Sequence, residues 1–153
     1  MKKYILCDSA TANYGKSTTL NQVLSLFMEM PNLYKIIPLQ EYNSNRDNVC
    51  VIQCLHSNSS ILIQTGGDYK EAFYQTLDYL KNNQENLPNV IVCASRTKQS
   101  TPRVVENICD NYDYHYVEFR NLCAWRPEDI PFVKQLNERF LVPSLYETIL
   151  HLL

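Results

Sequence analysis

The sequence predicts an α/β fold, a three-layer α/β/α sandwich with a mostly parallel sheet and one antiparallel strand. Short apolar runs typical of buried strands alternate along the chain with amphipathic stretches of helical period. The third and fourth apolar runs are separated only by residues 56–59, too few for the crossover that joins parallel strands. These two runs are therefore expected to pair antiparallel, whereas strands that are joined through helices are expected to be parallel.

The composition is that of one ordinary globular domain, and the whole chain, residues 1–153, is predicted to form it. Of the 153 residues, 45% are hydrophobic and 20% are charged, and the formal net charge is −2. Because this charge shows no basic excess, nucleic-acid binding is not expected. No apolar run approaches the roughly 20 residues of a membrane span, and the N-terminus has no secretory apolar region, so no membrane contact is expected. The six cysteines form no CxxC pair, which favours a reduced, cytoplasmic protein.

Six strands and the helices between them can be assigned from the hydrophobic period. The predicted strands are residues 3–8, 34–39, 49–55, 60–64, 90–93 and 115–119. The first helix has one apolar face, made by Leu20, Val23, Leu24, Phe27 and Met28. A second helix ends near residue 83, a third is capped by Thr101 with Pro102 at its first position, and the remainder is helical with a break or boundary at Pro143.

The connections also predict where a ligand binds. Strands one, four, five and six are expected to end on the same edge of the sheet. In open α/β sheets, ligands bind outside the carboxyl ends of the strands. The segments that follow these strands are therefore the candidate site.

The first of these segments is SATANYGKSTTL, residues 9–20. Its Gly15 is one of only three glycines in the chain and allows the backbone to approach a ligand closely. Lys16 is placed to reach the outer phosphates of a nucleotide, and the Ser17 hydroxyl can serve a magnesium ion. Free backbone N–H groups at the helix start can surround a phosphate. The predicted cofactor-binding residues are Asn13, Tyr14, Gly15, Lys16, Ser17 and Thr18.

Residues 10–17 resemble the Walker A motif, GxxxxGK[ST], of P-loop nucleoside triphosphatases and kinases, with Ala10 in place of the first glycine. The resemblance covers residues 5–20 closely and the rest of the chain only in architecture. It implies a bound nucleoside triphosphate with Mg²⁺ and a catalytic role for Lys16. The GTPase element NKxD is absent from the end of the fifth strand, which weakens a GTPase interpretation and favours ATP or a relaxed nucleotide preference. The alternative is a turn that opens a helix and exposes a lysine.

The pair Gly66-Gly67 marks a second candidate segment, after the fourth strand. In the P-loop family, a strand next to the first one ends in an acidic residue, the Walker B carboxylate, which steadies magnesium or its waters. Here Gln64 ends the apolar run and Asp68 follows four positions later, so Asp68 resembles a displaced Walker B acid, with metal and catalytic roles. Asp68 with Glu71 is also typical of a helix cap, and the two roles are compatible. Asp8 is a less favoured substitute.

The third candidate segment follows the fifth strand and has three cations within eight residues and no acid: Arg96, Lys98 and Arg103. Such a segment can clamp a transferred phosphoryl group or an anionic substrate. Arg96 is closest to the strand end and is the catalytic candidate. A solvated loop with a helix cap is the alternative.

Two classes of function are compatible with these segments. One is an ATPase or small kinase that hydrolyses the nucleotide or transfers its phosphate to a small anionic substrate, with Mg²⁺. The other is a nucleotide-dependent switch in which Gly66-Gly67 acts as a hinge that reports the bound state to a protein partner. Rapid turnover favours the enzyme, and tight binding with little turnover favours the switch.

Overall fold

The computed structural model describes residues 1–9, 16–42, 48–66, 70–95 and 101–153. Within them, six strands form one sheet in the order β2-β3-β4-β5-β1-β6. The strands are β1 (Lys3–Ser9), β2 (Tyr34–Pro38), β3 (Val49–Cys54), β4 (Ser60–Gln64), β5 (Val90–Ser95) and β6 (Tyr114–Arg120). All six predicted strands are present, within two residues of their expected bounds.

The strand directions confirm the predicted mostly parallel α/β sheet. β4 pairs with β5, β5 with β1, and β1 with β6, all in parallel. β3 is antiparallel to both of its neighbours, β2 and β4, with Val49 opposite Gln64 and Gln53 opposite Ser60. The short connection after β3 allows no crossover, so the chain must reverse direction there. The carboxyl ends of β1, β4, β5 and β6 consequently share one edge, as expected.

Helices occupy both faces of the sheet. They are α1 (Lys16–Met28), α2 (Lys70–Asn82), α3 (Thr101–Tyr112), α4 (Ile130–Leu136) and α5 (Val142–Leu152). Single 3-10 turns lie at Gln40–Tyr42 and Pro127–Asp129, and a π-helical turn, Asn137–Leu141, joins α4 to α5. Pro143 lies in the first turn of α5, which confirms the predicted boundary there. Proline has no N–H for the preceding turn, and the chain stays helical by widening that turn.

Two apolar clusters hold the helices on the sheet, and alternate strand residues contribute to each because side chains along a strand point to opposite faces. One cluster joins α1 and α5 to the sheet and includes Leu6, Leu20, Phe27, Val92, Leu145 and Ile149. The other joins α2 and α3 to the opposite face and includes Ile5, Leu62, Leu80, Ile91, Val105 and Ile108. The rings of Tyr34 and Tyr146 both meet Phe27 with centroids 4.9 Å away.

The predicted apolar face of α1 is buried at four of its five positions: Leu20, Val23, Leu24 and Phe27. The expectation for Met28 is wrong, because this side chain is 57% exposed. Met28 is the last residue of α1, and the two buried clusters do not include it. Helical periodicity identifies which residues lie on the same face of a helix. It does not show how far along the helix the sheet covers that face.

Candidate functional site

The candidate site begins where β1 ends. β1 is an inner strand, flanked by β5 and β6, and its last residue is Ser9. The next described residue, Lys16, is the first residue of α1. β1 therefore ends at the carboxyl edge of the sheet, in the interior of its parallel part, where open α/β sheets bind ligands.

The predicted phosphate-contacting residues are only partly within the described chain. Asn13, Tyr14 and Gly15 lie outside the described residues. Lys16 and Ser17 form the start of α1, where their backbone is described and their side chains are not. Thr18 is exposed on the first turn of the helix.

The two other catalytic candidates, Asp68 and Arg96, lie outside the described residues, but the elements around them are described. β4 ends at Gln64 and α2 begins at Lys70, whereas β5 ends at Ser95 and α3 begins at Thr101. Both connections start from the same edge of the sheet as the connection after β1. The resemblance implied that the strand with the acidic residue lies next to β1, and β4 does not, because β5 lies between them.

Gln64, at the position where an acidic residue would end the strand, holds α2 on the sheet. Its side chain is buried and accepts a hydrogen bond from the Thr76 hydroxyl, with 2.5 Å between Oγ1 and Oε1. Its Nε2 donates to Oε1 of Gln75 at 3.1 Å. Both ends of the carboxamide are thus bonded to α2, which explains an uncharged residue at this strand end.

A chain of hydrogen bonds connects the end of β4 to α1. The Thr65 N–H donates to the Asn48 carbonyl at 3.0 Å, and the Asn48 N–H donates to the Thr65 hydroxyl at 2.8 Å. The Asn48 carboxamide then donates to Oδ1 of Asn21, in the second turn of α1, at 3.1 Å. Thr65 and Gly66 are both buried. The backbone that leads into the glycine pair is therefore connected, through Asn48, to the helix that starts at Lys16.

A polar cluster that the sequence reasoning missed lies at the ends of β1 and β6. Ser9 is buried, and its hydroxyl donates to Oε1 of Glu118 at 2.8 Å. Arg120 donates to the other Glu118 oxygen through Nε and Nη2, at 3.2 and 3.1 Å. The Asn121 N–H donates to the Ser9 carbonyl at 3.1 Å. The alternation of Glu118 and Arg120 on one strand face was a visible signal, but nothing in the sequence indicated that β6 lies beside β1.

Asp8 is a buried acid immediately before this cluster. It lies between Ala94 of β5 and Phe119 of β6 in the strand register, on the sheet face that carries α1 and α5. Its position two residues before the segment at 10–15 makes it the described carboxylate that is nearest in sequence to the predicted phosphate site.

Four of the six cysteines are core residues rather than parts of a reactive centre. Cys7, Cys50, Cys54 and Cys93 are buried, and all six thiols are free. Cys7 and Cys93 lie opposite each other on neighbouring strands, and their hydrogen bond and their burial raise the pKa of the Cys93 thiol well above its usual range. A buried thiol that stays protonated is a poor nucleophile and a poor metal ligand.

The charge of the first turn of α1 bears on the predicted phosphate site. The first turn of this helix contains no acidic residue. The first N–H groups of a helix have no partner within the helix, so such a turn is compatible with an anionic ligand. Among the described residues, no three or more His, Cys, Asp or Glu side chains are grouped to hold a metal ion. The predicted ligand Asp68 and the side chain of the predicted ligand Ser17 lie outside the described part of the chain. No described helix is long and apolar enough to cross a membrane.

No family model, curated protein or solved structure matches the chain.

Proposed function

We propose that this chain is a P-loop-type protein that binds ATP, or GTP, with Mg²⁺ and hydrolyses it or transfers its phosphate to a small anionic substrate. One observation carries the proposal. The Walker A-like residues connect an inner parallel strand, β1, to a helix that begins at Lys16, at the edge of the sheet where α/β proteins bind ligands. The proposed compartment is the cytoplasm, in keeping with six free thiols.

The electrostatics of α1 support a phosphate ligand. The helix has 13 residues, so its macrodipole places partial positive charge at its N-terminus, and its first turn adds Lys16 and no acid. The start of the loop is also well anchored, because the side chain and the carbonyl of Ser9 are both bonded to the end of β6. A phosphate-binding backbone that starts from a fixed point loses less entropy when it closes on its ligand.

Each candidate residue then has its own role in binding or in the reaction. Lys16 contacts the outer phosphates, the Ser17 hydroxyl and a carboxylate from Asp68 hold the metal, and Arg96 meets the charge that grows on the transferred group. Mg²⁺, when bound, neutralises phosphate charge. Asp8 is the alternative acid, since it is buried at the end of β1.

A second candidate function, a nucleotide-dependent switch, is favoured by the hydrogen bonds from Asn21 through Asn48 to Thr65. They connect the helix that follows the proposed phosphate loop with the segment before Gly66-Gly67. A shift of α1 on nucleotide binding would be transmitted directly to that segment and to a protein partner that contacts it.

Calorimetric titration with MgATP and MgGTP tests the binding step. Lys16→Ala should weaken binding by on the order of 10-fold or more, because a lost charge-assisted hydrogen bond costs about 1.5–3 kcal/mol. Lys35→Ala is the matched control, since Lys35 is exposed on β2 at the far edge of the sheet. Equal affinity of the parent and Lys16→Ala, or no binding by the parent, contradicts the proposal. Phosphate release or transfer by the loaded protein then separates the enzyme from the switch.

A further inference from the structure

The two edges of the sheet differ in how they are protected. The outer strand β2 has five residues and includes Lys35 and Pro38, both of which discourage pairing with another strand. The other outer strand, β6, has seven residues, contains neither proline nor lysine, and no described strand pairs with its outer side. β6 is also poorly covered by helices, since Tyr116 is 43% exposed on one face and Val117 is 38% exposed on the other.

The strand hydrogen bonds show which backbone groups of β6 point outward. The Asn121 N–H donates to the Ser9 carbonyl, so the odd-numbered residues of β6 direct their N–H and C=O groups toward β1. The even-numbered residues direct theirs away from the sheet. These outward residues are Tyr114, Tyr116, Glu118 and Arg120.

The same edge is closed one step beyond the strand. Leu122 is the next outward residue, and its N–H donates to Oδ1 of Asn137 at 2.8 Å. The Asn137 Nδ2 donates to the Leu122 carbonyl at 3.1 Å, so this carboxamide occupies both groups as a paired strand residue would. The open part of the edge is therefore bounded by Arg120.

We propose that β6 is a homodimer interface in which two copies of this chain pair antiparallel along their β6 strands, with the two-fold axis at Val117. This axis pairs all four outward residues, Tyr114 with Arg120 and Tyr116 with Glu118, each in both directions. The two sheets then form one continuous sheet of twelve strands. The occupant of the edge is a second copy because the strand is complementary to itself.

Other registers are less favourable. An axis at Glu118 places two carboxylates directly opposite each other, and like charges in that position are destabilising. An axis at Phe119 requires the N–H and C=O groups of Leu122, which Asn137 already occupies. With the axis at Val117, aromatic and apolar side chains face each other on one side of the ribbon, where His115 meets Phe119 and Val117 meets Val117.

Sedimentation equilibrium measures the predicted dimer. The parent should approach twice the chain mass of 17.9 kDa as its concentration rises from about 1 to about 200 µM, the range in which a modest interface associates. Val117→Lys should remain at the mass of one chain, because it places two ammonium groups opposite each other at the axis. Leu55→Lys, on an apolar residue that is 49% exposed outside β6, should dimerise like the parent. Melting temperatures confirm that each variant is folded.

Disulfide formation tests the register. Cys123 is exposed and is first replaced by Ser to remove background cross-linking. In that background, oxidised Val117→Cys should form a covalent dimer, because Cα atoms of a directly opposed, non-hydrogen-bonded pair lie about 4.5 Å apart and disulfides span about 4.4–6.8 Å. His115→Cys lies on the same face, but its opposite residue is Phe119, so it should not link to itself.

A dimer that is lost in Val117→Lys and is cross-linked through Val117→Cys supports the proposal. Two results overturn it. If the parent stays at the mass of one chain over the whole concentration range, the homodimer proposal is wrong, and an extended segment of a different protein is the alternative partner of this edge. A dimer that survives Val117→Lys, or that is linked by His115→Cys and not by Val117→Cys, uses another surface or register.

Discussion

Asn137 offers a quantitative test of how the segment after β6 is held. It is buried at the start of the π-helical turn, and its carboxamide makes both hydrogen bonds to the backbone of Leu122. Replacing Asn137 by Ala leaves a donor and an acceptor of Leu122 without partners. Each unsatisfied buried group costs about 1–3 kcal/mol, but the Leu122 side chain is exposed and water can recover part of the loss. We therefore expect Asn137→Ala to lower the free energy of unfolding by about 1–3 kcal/mol in total.

Chemical denaturation with two probes measures this effect. Far-ultraviolet circular dichroism follows the backbone of the whole domain, and near-ultraviolet circular dichroism follows the packing of the eleven tyrosines. The melting temperature of Asn137→Ala should fall by roughly 3–10 °C for a chain of this size. Asn111→Ala is the control, because its carboxamide donates to Oδ1 of Asn107 on the exposed face of α3, and its effect should stay within about 0.5 kcal/mol. If Asn137→Ala unfolds at the denaturant midpoint of the parent, the two hydrogen bonds contribute nothing and the reasoning is wrong.

Asn137→Asp refines the same test through pH. The ionised carboxylate keeps the bond from the Leu122 N–H but faces the Leu122 carbonyl, so this variant should be less stable than the parent at pH 7. A protonated carboxyl can again donate, and burial beside an acceptor favours that form. The deficit should therefore shrink as the pH falls toward about 3.9, the ordinary pKa of aspartate. A deficit that does not change with pH contradicts the assigned donor and acceptor.

Two further predictions concern catalysis and alkaline stability. If the chain is an enzyme, Asp68→Asn and Arg96→Ala should bind ATP within a few-fold of the parent yet lose most turnover in a phosphate-release assay, because each is proposed to act on the transition state; an active Asp68→Asn with an unchanged melting temperature leaves only the capping role. The hydrogen bond to Asp78, followed by burial, raises the pKa of Tyr42 to about 12. The Tyr42 phenol ionises near pH 10 in the unfolded chain. The stabilisation of the folded chain by this hydrogen bond is therefore present below about pH 10 and lost as the pH rises through about 12. In that pH window, the free energy of unfolding should fall less for Tyr42→Phe than for the parent. Equal decreases in the two proteins refute the assignment.

The elements and their directions were readable from local patterns. Alternating and helical periods report which face of a segment is buried, and that information is contained in short stretches of chain. The tight connection between β3 and β4 imposed their antiparallel pairing by its length alone. The same logic located the carboxyl edge that carries the Walker A-like segment. α1 begins at Lys16, and the roles of Lys16, Asp68 and Arg96 all remain predictions.

The lateral order of the strands was decided only by tertiary packing. Periodicity does not say which buried strand lies beside which, so neither the place of β5 between β1 and β4 nor the contact of β6 with β1 could be inferred. The Ser9–Glu118 bond depends on that contact, since it joins residues 109 positions apart. Asn137 and Gln64 likewise looked like ordinary polar residues, because a carboxamide acquires its function from the backbone or side chain opposite it. Such partners are brought together by the packed sheet and helices, and no local stretch of the chain contains both of them.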